Sequence, residues 1–579
     1  MKNFVSLLKY LKPYKKWTLL APLLIIFEVI TDLFMPNIMA NIINIGIGQH
    51  NTSYVIYNII LMCGLTVLAV LGSIGSAYYA AKASGYASAD IRKNVFEKIT
   101  KLSFFNLDKV KTGHLITILT NDITLIGEVM MYLLKLIFRI PIILIGSIIM
   151  SILISPKLSL ILIFIIPITV IVVSILMKKA FPKFQEVQDR VDDVNTIVRE
   201  NVSGIRVVKS FVNEKYEIDK FDSANQKLRN ISIKAIRTIN ITMPTMMFFI
   251  NIAIVVVLWY GGIEVMNGKM LIGNVIAFTQ YLSNILTSLL MASVIIVMLS
   301  HSEASALRIN EIFNYKNDLK NSKKLKKEHL KGKIEFKHVD FSYEQGSGDV
   351  VLKDLNFIIN PGETIGVVGA TGSGKSTLVS LVSRFYDVTK GEILIDDENI
   401  KNYDLNFIRN KIGVAFQKPI LFSGSIRENL KYANHDINDD EMVKVAKIVQ
   451  VHDFVMEKEN HYDYHIEQKG NNLSGGQKQR IALTRVLLSQ PDILILDDVT
   501  SALDINTDKK IRDGLKKHYK NMTTLMVSSR ISAVINADKI IVLNEGELVG
   551  FDNHENLMKN NQIYQEIYHS QIRDGDLNE

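Results

Sequence analysis

Six apolar runs crowd the first 300 residues, at about 17–45, 55–80, 136–155, 158–178, 241–263 and 274–300. A helix needs roughly 20 mainly apolar residues to cross the hydrocarbon core of a bilayer. Six such runs in one stretch are hard to bury in a soluble core, so they predict six membrane spans. The first run is too long for a secretory leader and has no cleavage pattern. It should persist as a span.

Charge placement predicts the orientation. Lys2, Lys9, Lys12, Lys15 and Lys16 precede the first span. Seven lysines and arginines, Lys82 to Lys111, separate the second and third, and many more lie between Lys178 and Arg237. The opposite side is poor, with none over 46–54 and only Lys157 and Lys269 in the other two turns. Basic residues concentrate on the cytoplasmic side, so the N-terminus and the long loops are expected there. The net charge of +8 therefore reads as membrane topology, and no nucleic-acid partner is expected.

Residues 3–12 place Phe4, Leu7, Leu8 and Leu11 on one helical side and their lysines elsewhere, as in an amphipathic helix on the cytoplasmic face. The segments 80–130 and 180–240 read as spans continued into the cytoplasm, with bends at Lys111–His114 and Ser203–Arg206. Cys63 is the only cysteine, which excludes an internal disulfide, and its apolar run suggests a small packing residue. Glu28, Asp32, Arg139, Asn251, Gln280 and Asn284 lie within or beside spans. Such groups are expensive in a membrane. Glu28 and Asp32 share a helix face. Either a cavity touches a polar or cationic substrate, or the groups join helices.

After a charged linker at 315–332, the chain reads as a soluble α/β domain. Ile334–Phe341 alternates as a strand. Ile365–Val368 is a buried strand leading into Gly369-Ala-Thr371-Gly372-Ser373-Gly374-Lys375-Ser376-Thr377, and a helix follows. In that context the pattern is a phosphate loop. Its backbone N–H groups turn inward on phosphates, Lys375 reaches the β/γ-phosphates and Ser376 holds Mg²⁺. Asp497 ends the apolar run Ile493–Leu496, where a carboxylate holds Mg²⁺ directly or through water. ATP and Mg²⁺ are the expected cofactors.

With Leu473-Ser474-Gly475-Gly476-Gln477, these residues resemble the ATP-binding cassette exporters in which one membrane domain is fused to one cassette. The resemblance runs nearly end to end. It implies that Tyr343 stacks on adenine and that Gln417 senses Mg²⁺ and the attacking water. It implies that Ser474, Gly475, Gly476 and Gln477 contact the γ-phosphate of ATP held by the opposite cassette. Ser501-Ala-Leu-Asp504 resembles the loop that crosses the dimer interface. Phe104-Phe105, Gly113 and Thr120-Asn-Asp122 resemble the first cytoplasmic loop, Gly204–Phe211 the second, and Ala304–Ile309 the end of the sixth span. The expected fold is multidomain: an all-α six-helix transmembrane domain with long cytoplasmic helical extensions (1–314), the linker (315–332), and an α/β P-loop ATPase cassette with a helical subdomain (333–575).

Three departures from the family matter. Asp498 stands where active cassettes carry Glu, so the candidate base is one carbon short of its water. Ser529 stands where the family carries His. Ile466-Glu-Gln-Lys-Gly470 replaces a commoner Gly-Glu-Arg-Gly before the signature. Two losses at one site beside an intact signature resemble the degenerate subunit of bacterial heterodimeric multidrug exporters. The implied partner is a second exporter half carrying Glu and His. The implied cargo is a drug, lipid or other small amphiphile, moved across a lipid membrane with the cassette cytoplasmic. A slow homodimer and an ATP-gated channel are the alternatives.

Overall fold

The computed structural model describes residues 2–319, 329–343, 348–499 and 503–573. The chain divides into two compact units, one comprising Met1–Thr100 and Thr112–Asn314, the other Lys101–Lys111 and Tyr315–Glu579.

The first unit is helical. Among the described residues six helices are long and apolar enough to cross a membrane. They carry the six apolar runs: Lys2–Ile47, Thr52–Thr100, Thr112–Ile154, Pro156–Ser203, Glu214–Met266 and a last helix whose apolar part is Ile272–Ala292. Lipid tails are as apolar as leucine, so helices associate by close packing of small residues. The helix Thr52–Thr100 follows that rule, because Ala69, Gly72, Ser76, Ala80, Ala83 and Ala87 are its buried side. A Cβ on Gly72 would lie 3.2 Å from the Leu24 carbonyl oxygen of the neighbouring helix. Ile60, Val67, Leu71 and Ile74 of the same helix are exposed, as on a lipid face. Pro156 begins its helix behind Ser155, whose hydroxyl accepts from the Leu158 N–H at 3.3 Å.

Four details depart from the sequence reading. The N-terminal helix is shorter, Lys2–Leu7, and continues as a 3₁₀ segment, Leu8–Tyr14. Its apolar residues Phe4, Leu7 and Leu11 are buried against the chain's own helices. The N–H groups of Asn3 and Phe4 cap on Glu303 at 3.0 Å each. Cys63 is exposed, not packed, because its side of the helix faces outward. The first predicted bend, Lys111–His114, breaks at its leading edge, Val110–Lys111, and Gly113 itself lies inside the helix Thr112–Thr117. The reversal is built around a short helix, Phe104–Lys109. The second bend falls at Gly204, between Pro156–Ser203 and Ile205–Ser210, as expected.

The second unit is α/β. Its strands are β1 (Ile334–Phe341), β2 (Leu352–Ile359), β3 (Thr364–Val368), β4 (Lys390–Ile395), β5 (Glu398–Asn399), β6 (Ile412–Ala415), β7 (Gly424–Ser425), β8 (His465–Ile466), β9 (Ile493–Asp497), β10 (Thr523–Val527), β11 (Lys539–Asn544) and β12 (Glu547–Asp552). Among the described residues they form a sheet ordered β2-β1-β4-β5, a sheet ordered β12-β11-β3-β10-β9-β6, and the pair β7-β8. The large sheet is parallel except at the β11–β12 edge. Its central strands are buried throughout, which explains their unbroken apolar runs. Helices Ile426–Leu430, Asp439–Ile448, His452–Met456 and Gly475–Leu487 share a second apolar cluster and make up the helical part.

The described ends of the linker are not simply a solvated connector. The Asn106 side chain donates to the Lys316 carbonyl at 2.8 Å, and Asn317 donates to the Lys101 carbonyl at 2.6 Å. At the other end, the Leu330 N–H donates to Asp492 at 2.9 Å, and Leu330 is buried. Short-range composition carries no sign of these partners.

Candidate functional site

The phosphate loop follows β3 and ends at the helix Lys375–Val382. Two of its glycines are dictated by space. A Cβ on Gly369 would lie 2.2 Å from the Leu543 carbonyl oxygen, and one on Gly374, at φ +99°, would lie 2.5 Å from Leu352 Cδ2. Left-handed backbone admits little but glycine. Gly372 also has positive φ, at +85°. Lys375 Nζ donates to the carbonyls of Gly369 and Ala370 at 2.8 Å each, so its ammonium sits within the ring of the loop. Burial pushes the Lys375 ammonium below its ordinary value, against the pull of Asp498 and Asp497. A partly buried cation short of negative charge is what a phosphate group relieves.

Asp497 and Asp498 enter from the adjoining part of the sheet. β10 lies between β3 and β9, and β9 ends in Asp497. Burial, then the neighbouring Asp498, pushes the Asp497 carboxyl up, and Lys375 opposes them. Asp498 leaves the strand in left-handed backbone, φ +50°, with its N–H on the Val527 carbonyl at 2.9 Å. This turns its side chain toward Gln417, whose Nε2 donates to Asp498 Oδ2 at 3.0 Å. Sequence named both residues, 81 positions apart, but not their contact. Ser529 follows β10. It is exposed, and its backbone carbonyl accepts from Gln571 at 2.8 Å. Its neighbour Ser528 is the buried one.

Tyr343 lies next to the loop. Its hydroxyl is 3.1 Å from Thr377 Oγ1, and its ring stands edge-on to Phe341 at 4.9 Å and Tyr386 at 5.2 Å. Tyr386 in turn donates to Asp108 of the helix Phe104–Lys109. Burial first, then that carboxylate, pushes the Tyr386 phenol far up. Phe104 packs on Phe385 at 4.4 Å between ring centres. Sequence reasoning missed Tyr386 because its partner lies 278 positions away.

The signature residues form a second helix N-terminus. Ser474 accepts from the Gln477 N–H at 3.3 Å, and Gln477 accepts from the Ser474 N–H at 3.0 Å, a reciprocal capping box. Gly475 occupies the first turn, and a Cβ there would meet no atom within 4 Å among the described residues outside its own helix and chain neighbours. Asp504 caps the helix Ile505–His518 through the Thr507 N–H at 2.9 Å. Ser501 and Ala502 of that predicted loop lie outside the described residues. In the atypical loop before the signature, Lys469 and Gly470 both have positive φ, +58° and +68°.

The intramembrane polar residues meet only in part. Arg139 pairs with Glu28, and its other nitrogen lies 3.5 Å from Asp32. Asp32, Arg139, Gln280 and Asn284 line one cavity of about 580 Å³. Asn251 is exposed elsewhere on its helix.

The family profile for the ABC transporter transmembrane region matches residues 18–290, and that for the ABC transporter itself matches residues 352–501. An uncharacterized ABC transporter ATP-binding protein of Bacillus subtilis, YfiB, is 35% identical over 569 residues, covering 98% of this chain and 99% of that protein. A second from the same organism, YknU, is 34% identical, covering 99% and 98%. ABC transporter B family member 4 of Dictyostelium discoideum is 34% identical, covering 84% of this chain and 63% of that protein.

Proposed function

Because the chain belongs to the ATP-binding cassette transporters, a membrane domain and a transporter ATPase in one polypeptide, we propose that it is the slow half of a heterodimeric exporter. It moves drugs, lipids or other amphiphiles out across the membrane, with its N-terminus and cassette in the cytoplasm. Its own phosphate loop binds ATP and retains it. Its signature completes the firing site on a partner that carries Glu and His.

The observation that carries this reading is Gly475. Among the described residues outside its own helix and chain neighbours, nothing lies within 4 Å of a Cβ built there, at the start of a helix whose N-terminal end is positive. A terminal phosphate held by another cassette suits that place. A second support is the tip of the second cytoplasmic bend, where Phe211 and Val212 are 78% and 81% exposed. Apolar side chains so exposed call for cover.

ATP would lie along Gly369–Thr377 with its base near Tyr343. Ser376, Asp497 and Gln417 would hold Mg²⁺, which when bound neutralises charge on the β/γ-phosphates. The fit is electrostatic, since two adjacent carboxylates face one lysine and burial already strains the charge on Asp497. Asp498 would take the proton of the attacking water from a shortened reach. Its bond to Gln417 holds it to one side, and Ser529 offers no cation to the γ-phosphate.

The test compares ATP turnover of the purified chain alone with that of the chain co-expressed with a second half carrying Glu and His. Collapse on changing the partner's Glu to Gln, with only a modest loss from Asp498→Asn, supports the division of labour. Equal turnover alone and in the pair sinks it in favour of a homodimer.

A further inference from the structure

We propose that the intramembrane cavity selects an amphiphilic cation, that Asp32 meets its charge, and that Glu28 acts only by holding Arg139 aside. The movement of that ligand rests on the exporter reading, but its binding does not.

The cavity lies among four helices: Lys15–Asn41, Thr52–Thr100, Ile123–Ile154 and Ile272–Asn314. Its volume of about 580 Å³ falls in the range of small-molecule sites, roughly 300–1,000 Å³. The charged groups in its wall are Asp32 and Arg139. Gln280 and Asn284 add neutral amides. The hydroxyls of Thr287 and Ser288 are spent on their own helix, donating to the carbonyls of Ser283 at 2.8 Å and Asn284 at 2.7 Å.

The charges do not balance. Glu28 and Asp32 share one guanidinium, which leaves one negative charge over. The sharing is also unequal. Glu28, with a side chain 8% exposed, takes the close contact, whereas Asp32, 41% exposed, is 3.5 Å away. Among the described residues Glu28 Oε2 is buried without a hydrogen-bond partner, so the three side chains together lack positive charge, not negative. An ionised carboxylate at this depth is costly unless paired. Glu28 is closed off from the cavity, and Asp32 opens onto it. A cation entering the cavity therefore gains the carboxylate that Arg139 holds least firmly. Met35, Met39, Met62 and Met291 supply the rest of the recognition. Thioethers are polarizable and reshape around aromatic rings, which suits a bulky delocalised cation better than a hydrated one.

The test uses two ions of nearly the same four-ring shape and opposite charge, tetraphenylphosphonium and tetraphenylborate. Equilibrium binding is measured on the full-length chain in nanodiscs of zwitterionic lipid, with empty nanodiscs subtracted. The phosphonium should be preferred. Asp32→Asn should cut that preference about tenfold or more, and Asp32→Glu should keep it. Glu28→Gln should also lose it, because the released Arg139 then turns to Asp32. A preference unchanged in Asp32→Asn overturns the assignment. So does a Glu28→Gln chain that elutes as a single species and binds the phosphonium as before. ATP-driven uptake into inside-out proteoliposomes that hold the chain together with a second half carrying Glu and His separates the two claims. Selective binding without uptake leaves the cavity assignment standing and overturns the exporter reading. Uptake that ignores Asp32 does the reverse.

Discussion

Two glycine-marked helix N-termini of this cassette are proposed to meet nucleotide, and they are built on opposite logic. At the phosphate loop the chain itself occupies the space a side chain would need, 2.2 Å above Gly369 and 2.5 Å above Gly374. These glycines are fixed by the fold. At the signature, Gly475 has open space around it, and its capping box would form equally well with alanine there. Folding alone does not ask for that glycine. On the proposed reading, the phosphate-loop half of an ATP site is complete within the chain, and the signature half takes its meaning from another surface.

The strongest break of that comparison is Lys375→Ala. Loss of a partly buried cation beside phosphates should weaken ATP binding by about two orders of magnitude or more in the chain alone. Fluorescent-nucleotide titration reads it. Gly475→Asp should leave that affinity within about twofold, yet cut turnover of the assembled pair by on the order of a hundredfold, as a misplacement of about 1 Å does. If the same substitution unfolds the chain or abolishes its own ATP binding, the glycine is structural and the contrast fails. Tyr343→Ala should cost about tenfold in affinity if the ring stacks on the base, and Tyr343→Phe, which removes only the bond to Thr377, should cost less. Asp498→Asn should lower turnover of the pair only a few-fold, against the loss of about 10² or more expected of a working base.

The smallest effect concerns pH. The Asp497 carboxyl is pushed up by burial and by Asp498, so it takes its proton at higher pH than an ordinary carboxylate. Magnesium-dependent nucleotide binding should then fall as pH drops through that raised value. The ionised carboxylate is the costly form, so thermal stability without nucleotide should rise slightly over the same window. Calorimetry with and without Mg-ATP checks the opposite signs. Two curves that fall together would show that Asp497 is not the group titrating.

Much of the architecture is legible in sequence because it is written locally. The six apolar runs, the strand before Gly369 and the apolar run ending at Asp497 each contain their own period or motif. What sequence could not supply is who faces whom. Cys63 sits in an apolar run, but nothing in that run says which side faces outward. Gln417 and Asp498 are separately recognisable, and only the left-handed turn at Asp498 brings them together. Glu28 and Asp32 read alike, one turn apart. Their split into a clamp and a cavity group depends on where Arg139 reaches from another helix.

The second unit also has a history. Phe104 and Asp108 belong to it, yet the ribosome delivers them long before their partners. Tyr386 emerges 278 residues after Asp108, a wait of about a quarter of a minute to a minute at elongation rates of about 5–20 residues per second. Throughout that time Phe104 stands without Phe385 to cover it. The unit cannot close until the cassette is well under way. A mutation at Asn106, Asn317 or Tyr386 should therefore be felt first in the yield of newly made protein, before any loss in the finished molecule.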